Sequence, residues 1–373
     1  MGERSEQVDC PRLRELWEAT TMTQQELAEK ADCGESKVQQ LLNGRSDQAL
    51  PRIVSGLAKA LEVDREELLA RQGSSQEGAT SDAENKRPAP AWLAQEFTVA
   101  MAAMRRVQGD LDELCDLLRR PQDANDCGDL AKDVFNNVER GLRSELEEHS
   151  RFKTVSPQSG CDWFDEQDDF YWAIDPIDGK RHIRHGLFLF TSTLALVEKI
   201  ERQRMRRDKS VLGLTYIPFS RELFYAQRSY AGRKGGTRVI IDGKEHPDPL
   251  RVEADPNEKI VYAEFPNRKL GARLPEACAK LELMFSEVQR AYGIAVGSWG
   301  LTLVARGTFH AYVDLSNTTR FHNMVAGRLL VEEAGGAEEL IGDLDPVCYV
   351  VGNTADTVKA LREILTPRTV RPS

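Results

Sequence analysis

The residues best equipped for chemistry sit together in Trp172-Ala173-Ile174-Asp175-Pro176-Ile177-Asp178-Gly179. An apolar run leads into two carboxylates, with Pro and Gly forcing the chain to turn. Hard oxygen ligands held at a strand end suit a divalent cation such as Mg²⁺, which demands near-octahedral oxygen coordination. Asp175 and Asp178 are therefore candidate ligands. Directly after them comes Gly179-Lys180-Arg181-His182-Ile183-Arg184-His185, a basic stretch. Two readings of it stand: an anion site that uses Lys180 and Arg181, and a solvated basic turn.

Three regimes along the chain must position these residues. Residues 1–72 read as short amphipathic helices, with Leu13, Leu16 and Trp17 on a first apolar face. Thr23 is an N-cap with Glu26 three residues on, which is the capping-box signature. Thr23 to Ala31, the turn Asp32-Cys33-Gly34, and Glu35 to Asn43 follow the spacing of a helix-turn-helix. Residues 73–91 are polar, contain Gly, Ser and Pro, and read as a linker. Residues 92–373 predict a layered α/β domain. Its expected helices are 92–119 and 128–149, its strands 187–197, 211–217, 223–226 and 239–241, and further helices and strands alternate over 274–292, 297–306, 310–313, 324–335 and 347–351.

The 373 residues are 40% hydrophobic and 29% charged, enough for a sizeable core and too mixed for a disordered chain. Lys and Arg number 50 against 60 Asp and Glu, a net charge of −10, which opposes indiscriminate adhesion to nucleic acid or an anionic membrane. No apolar run approaches the ~20 residues of a membrane span. The seven cysteines are scattered without a CxxC pair, as expected of a cytoplasmic protein without a zinc site.

The stretch TQQELAEKADCGESKVQQLLNGRSDQALPRIVSGLAKALEVDREELL resembles the Cro/phage-repressor (Xre-type) family through its Gln-x-x-Leu-Ala, its Asn-Gly and its Leu-Ala-x-Ala-Leu-x-Val helix. The resemblance implies DNA binding, with the second helix of the motif in the major groove. Val38, Leu41 and Leu42 would face inward, and Glu35, Ser36, Lys37, Gln39 and Gln40 outward to base edges. Gln24, Arg45 and Arg52 would meet phosphates. The module holds 10 Lys and Arg against 14 Asp and Glu, a net of −4. Either a homodimer on two half-sites of a specific operator compensates for that acidity, or the module binds protein.

Asp175-Pro176-Ile177-Asp178-Gly179 resembles the Asp-Pro-Ile-Asp-Gly-Thr motif of the inositol monophosphatase family. Gly297-Ser298-Trp299-Gly300-Leu301 looks like the family's Gly-Ser-x-x-Leu strand pair, and Val325 to Gly336 like its last helix. The resemblance implies an α/β/α/β/α sandwich and Mg²⁺-dependent hydrolysis of a phosphate monoester, with Asp175, Ile177 and Asp178 holding any retained metal and Asp133 matched to an upstream aspartate. In that fold the backbone N–H groups after Asp-Gly meet the phosphate. Three positions depart from the pattern: Pro157 replaces a metal-binding glutamate, Lys180 a threonine and Asn323 a metal-binding aspartate. The expectation is a domain without catalysis and without a cofactor, in which the Lys180 ammonium pairs with Asp175 and Asp178, while Asp175, Asp178, Gly179, Lys180, Arg181 and Asn323 line a site for a phosphorylated small molecule. The alternative is a weakened Mg²⁺-dependent phosphatase with an accessory helix-turn-helix.

Overall fold

The computed structural model describes residues 6–8, 13, 16–17, 20, 22–33, 35–42, 48–49, 51–61, 63, 65, 68, 89–120, 124–156, 169–199, 208–231, 235–253, 259–265, 268–315, 319, 321–341 and 348–366. The chain divides into two compact units, Met1–Ser81 and Asp82–Ser373.

In the first unit, α1 (Gln24–Lys30) starts at Thr23, whose extended backbone and side chain form the capping box: Glu26 N–H donates to Thr23 Oγ1 at 3.2 Å and Thr23 N–H to Glu26 Oε2 at 2.8 Å. Reciprocal pairing of this kind satisfies two helix-end donors. The turn passes through Asp32 at φ 50° into α2 (Glu35–Leu42), and α3 is Pro51–Leu61. Leu13, Leu27, Val38, Leu41, Leu42 and Leu57 are sealed in one apolar cluster; Val38, Leu41 and Leu42 are the inward set expected of α2. A Cβ on Gly56 would lie 2.2 Å from the Ala31 carbonyl oxygen, so glycine is what lets α3 sit against the end of α1. A short antiparallel pair joins β1 (Glu6–Gln7) near the start of the unit to β2 (Gln48–Ala49), just before α3.

The second unit begins with two long helices, α4 (Leu93–Leu118) and α5 (Ala124–His149). A seven-stranded sheet follows in the order β3 (Thr154–Val155), β4 (Phe170–Asp178), β5 (Thr191–Glu198), β6 (Lys209–Ile217), β7 (Glu222–Gln227), β8 (Gly236–Ile241) and β9 (Lys244–Glu245). Between β4 and β5 lies the single-turn α6 (Lys180–Arg184). A second, five-stranded sheet has the order β11-β10-β12-β14-β13, built from β10 (Ile260–Glu264), β11 (Arg290–Tyr292), β12 (Ala311–Asp314), β13 (Ala337–Ile341) and β14 (Cys348–Gly352). Its helices are α7 (Leu274–Glu287), α8 (Gly297–Ala305), α9 (Phe321–Glu333) and α10 (Ala355–Leu365).

Strand alternation assigns the layers, because successive side chains leave a strand on opposite faces. Trp172 and Ile174 of β4 join Val107, Leu111 and Leu142 of α4 and α5, whereas Tyr171 and Ala173 join Phe321, Val325 and Ala326 of α9. In the second sheet, Tyr262 and Tyr312 meet Leu301 and Val304 of α8, whereas Val261 and Val313 meet Met284 of α7 and Leu361 of α10. The result is a sandwich of α4 and α5, sheet, α8 and α9, sheet, then α7 and α10.

Local boundaries differ from the sequence reading at three places. The Gly-Ser-x-x-Leu stretch, expected as part of a strand pair, is helical from Gly297. Both of its sides are enclosed between sheets, so its residues are apolar all round and carry no helical stripe. Residues 187–190 precede β5 and are not part of it. The expected helix over 274–292 stops at Glu287, and Arg290–Tyr292 pairs with β10 as a parallel edge strand.

Candidate functional site

Asp175 and Asp178 stand three positions apart, so a regular strand would send them to opposite faces. The β4–β5 pairing shifts register between them: Asp175 lies opposite Thr193 and Asp178 opposite Thr191. One extra residue is accommodated there, a β-bulge that re-aims the following side chain. Pro176 suits the bulge because it has no N–H to leave unpaired. Gly179 then turns at φ 96°, where a Cβ would come within 3.0 Å of the Leu189 oxygen.

Asp178 is buried and its carboxylate is ringed by neutral donors. Ser298 N–H and Ser298 Oγ donate to Oδ2 at 3.1 and 2.6 Å, and Asn323 Nδ2 donates to Oδ1 at 2.8 Å. Thr191 Oγ1 lies 2.5 Å from Ser298 Oγ. Since the Ser298 proton is spent on Asp178, Thr191 is the donor in that contact. Burial pushes the Asp178 carboxyl up, against these hydrogen bonds and the nearby His182, which hold it down. His182 is itself oriented, with Nδ1 2.7 Å from the Leu189 oxygen; a carbonyl only accepts, so the proton sits on Nδ1.

The remaining expected residues fall as follows. Asp175 and Ile177 are buried on β4. Lys180 is half-buried and its Nζ lies 3.0 Å from the centroid of the Phe135 ring on α5, a cation–π partner the sequence did not suggest. Arg181 and Asp133 are exposed. It is Phe135, two residues beyond Asp133, through which α5 meets Lys180. Gln24 and Lys37 are half-buried. The side chains of Glu35, Ser36, Gln39 and Gln40 lie outside the described residues, as do Arg45 and Pro157 as a whole.

Glu264, which sequence reasoning missed, ends β10 beside Asp314 at the end of β12, its register partner. Its Oε1 is enclosed without a hydrogen-bond partner. Burial, then the charges of Asp178 and Asp314, push this carboxyl up to about 8. The signal was available: an apolar strand ending in an acid occurs at Asp178, Glu264 and Asp314 alike.

Tested as a metal centre, the donor set is a poor match. A carboxylate offers about four lone-pair sites, and three hydrogen bonds already reach Asp178. Asn323 turns its NH₂ toward Asp178, which leaves its Oδ1 enclosed without a partner. Among the described residues no group of three His, Cys, Asp or Glu is arranged to hold a metal ion.

A five-layered sandwich with acidic strand ends gathered at the start of α8 defines the architecture of the inositol phosphatases. The chain belongs to the inositol monophosphatase family, whose profile matches residues 62–344, and it carries a helix-turn-helix domain over residues 12–70. It is 23% identical over 195 residues to a fructose-1,6-bisphosphatase/inositol-1-monophosphatase of Aquifex aeolicus, covering 50% of this chain and 64% of that protein. It is 24% identical over 219 residues to the Nus factor SuhB of Haemophilus influenzae, covering 57% and 73%. Among solved structures, Mycobacterium tuberculosis SuhB superposes with a TM-score of 0.53 at 19% identity over 75% of this chain and 98% of that one. CysQ from Bacteroides thetaiotaomicron gives 0.54 at 18%, over 69% and 97%. No helix among the described residues is long and apolar enough to cross a membrane.

Proposed function

We propose that this chain is a cytoplasmic DNA-binding transcriptional regulator, with residues 1–72 reading DNA, 73–91 linking, and 92–373 a phosphatase-like domain that has lost metal-dependent catalysis. That domain senses a phosphorylated small molecule or mediates dimerisation. One observation carries the reading: Asp178, which matches a metal-binding aspartate of the family, is hydrogen-bonded by Ser298 and by Asn323, the amide that stands where the family has another metal-binding aspartate. Lys180 adds a fixed cation where the family has a threonine, favouring an anion over a divalent metal. The helix-turn-helix domain supports the DNA arm, and a homodimer on paired half-sites offsets its acidity. Relatives named Nus factor SuhB are named for something other than hydrolysis.

The second reading, a Mg²⁺-dependent phosphoric monoester hydrolase, draws on the relatives named inositol-1-monophosphatase and on the retained Asp175, Ile177 and Asp178. Phosphate release from inositol 1-phosphate, fructose 1,6-bisphosphate and adenosine 3′,5′-bisphosphate separates the two. The regulator reading expects no Mg²⁺-dependent release; turnover abolished by Asp178→Asn would establish the hydrolase instead. For the DNA arm, genomic fragments captured by the wild type should be lost in Lys37→Ala/Gln40→Ala, and unchanged capture would refute groove reading by α2.

A further inference from the structure

The five-stranded sheet of the second unit is open at β11, with no strand paired beyond it among the described residues. Hydrogen bonding fixes which backbone groups face that side. Ile260 is turned toward β12: its N–H donates to His310 Nδ1 at 3.2 Å and its carbonyl accepts from His310 N–H at 2.8 Å. The preceding Lys259 is turned the other way, and its carbonyl accepts from Arg290 N–H at 3.4 Å. Because the direction alternates along a strand, Arg290 and Tyr292 face β10, and Ala291 directs its N–H and C=O outward. Backbone groups presented in this way are a template for a further strand.

Large apolar side chains lie exposed around that edge. Tyr292 is 45% exposed although its ring meets Phe309 at 5.7 Å, and Phe265 is 40% exposed. Gly293 lets Phe265 lie against the strand, since a Cβ there would come within 2.7 Å of that ring. On the outer face of the sheet, α10 packs over β13 and β14 and beside α7. The other flank of α7, toward β11, has no helix against it among the described residues. Leu283 and Phe285 are 46% and 50% exposed and leave α7 about 200° apart, so one of them stands on that flank.

We infer that β11 pairs antiparallel with β11 of a second copy about a two-fold axis through Ala291, joining the two five-stranded sheets into one. The inference deepens the dimerisation arm of the reading above and rests on it. A two-fold interface must be self-complementary, and this register is. The two Ala291 residues exchange both N–H···O=C bonds, and Arg290 of each strand stands opposite Tyr292 of the other. Arg290 and Tyr292 share the α8 face, two positions apart on one strand. A charge on an edge strand commonly guards it against pairing. Here its neighbour across the axis is a tyrosine ring, which attracts a guanidinium, and not a second arginine. An unrelated strand would satisfy the outward groups of Ala291 but would not bring that match.

Sedimentation velocity and light scattering on the full chain test the inference. The wild type should be a dimer at micromolar concentration. Ala291→Pro removes the outward N–H without touching a bond to β10, a place where an edge strand accepts proline. It should weaken association at least about tenfold, for the loss of two hydrogen bonds at the axis, with thermal melting unchanged. Arg290→Glu should weaken association too, and Arg290→Glu/Tyr292→Lys should restore it by setting opposite charges across the axis. Mild oxidation reads the register: Cα atoms of a hydrogen-bonded pair lie ~5.5 Å apart, within disulfide reach. Ala291→Cys should therefore give a covalent dimer above the wild-type background, and Arg290→Cys, whose copies sit diagonally across the axis, should not. A dimer indifferent to Ala291→Pro and Arg290→Glu, or one that Arg290→Cys cross-links as readily as Ala291→Cys, would overturn the inference and leave dimerisation to another face. A wild type that stays monomeric at high micromolar concentration would remove the dimerisation arm together with it and leave the ligand-sensing arm standing.

Discussion

Glu264 and Asn323 set the electrostatics around Asp178, one through a buried carboxyl and the other through a neutral amide. An amide at position 323 supplies an N–H to Asp178 at 2.8 Å, where a second carboxylate without a cation would repel it. Glu264 is held near 8 against an ordinary 4.5, so between these values the folded chain keeps a proton that the unfolded chain has released. Stability from this group is present below the ordinary value and is lost as pH rises through the folded one. Glu264→Gln should therefore flatten the fall in stability between mildly acidic and mildly alkaline solution. At pH 8 it should leave the variant more stable than the wild type by ~2 kcal/mol, a discounted figure from the linkage relation. Denaturant melts across that range check it, and an equal slope in both proteins would remove Glu264 from the account. The two β4 aspartates and Asn323 were legible in the sequence because the motif is local. Phe135 and the Ser298 hydrogen bonds were not, since they depend on contacts between distant residues, 120 positions apart for Ser298 and Asp178; Glu264 carried the strand-end signal, but nothing local in the sequence joins it to Asp178.

At the scale of elements, the β4 bulge and the seating of α8 decide whether these residues meet. A Cβ on Gly300 would come within 2.5 Å of the Tyr262 ring, and one on Gly327 within 2.6 Å of Leu301. The α8–α9 layer is therefore packed through glycine to the distance its neighbours allow. Gly300→Ala should cost about 1–3 kcal/mol, the usual penalty for overpacking a filled core. Gly109→Ala, where a Cβ on α4 would meet nothing within 4 Å, should stabilise by roughly 0.5–1 kcal/mol through helix propensity. Thermal scans distinguish the two, and a neutral Gly300→Ala would mean that the sheets move apart easily. The amphipathic helices α4 and α5 were readable from their period, and the central strands of the first sheet, buried on both faces, from their apolar runs. Helix α8 was not: with both sides buried, Gly297 to Ala305 offers an apolar run that fits a strand equally well. The bulge was hidden for another reason, since a register shift belongs to a strand pair and leaves no mark on one strand.

Across the whole molecule, two cores of different size share one chain. The first unit closes its own apolar cluster around Leu27, Leu41 and Leu57, and a buried Leu→Ala change there should cost about 2–5 kcal/mol. In differential scanning calorimetry, Leu57→Ala should lower the transition of the small unit and leave that of the large unit in place; a single transition moving as a whole would contradict separate cores. The helix-turn-helix was the most legible part of the chain, because capping box, turn and apolar positions are all local. The function of the large unit was the least legible, because it turns on a donor set assembled from β4, α8 and α9. The central claim is that this set no longer holds a divalent metal. Titration calorimetry of Mg²⁺ into the wild type and into Pro157→Glu/Lys180→Thr/Asn323→Asp tests it most directly. The wild type should show no saturable binding at millimolar Mg²⁺ and the triple variant should recover it; saturable wild-type binding that is lost in Asp178→Asn would contradict a site without metal.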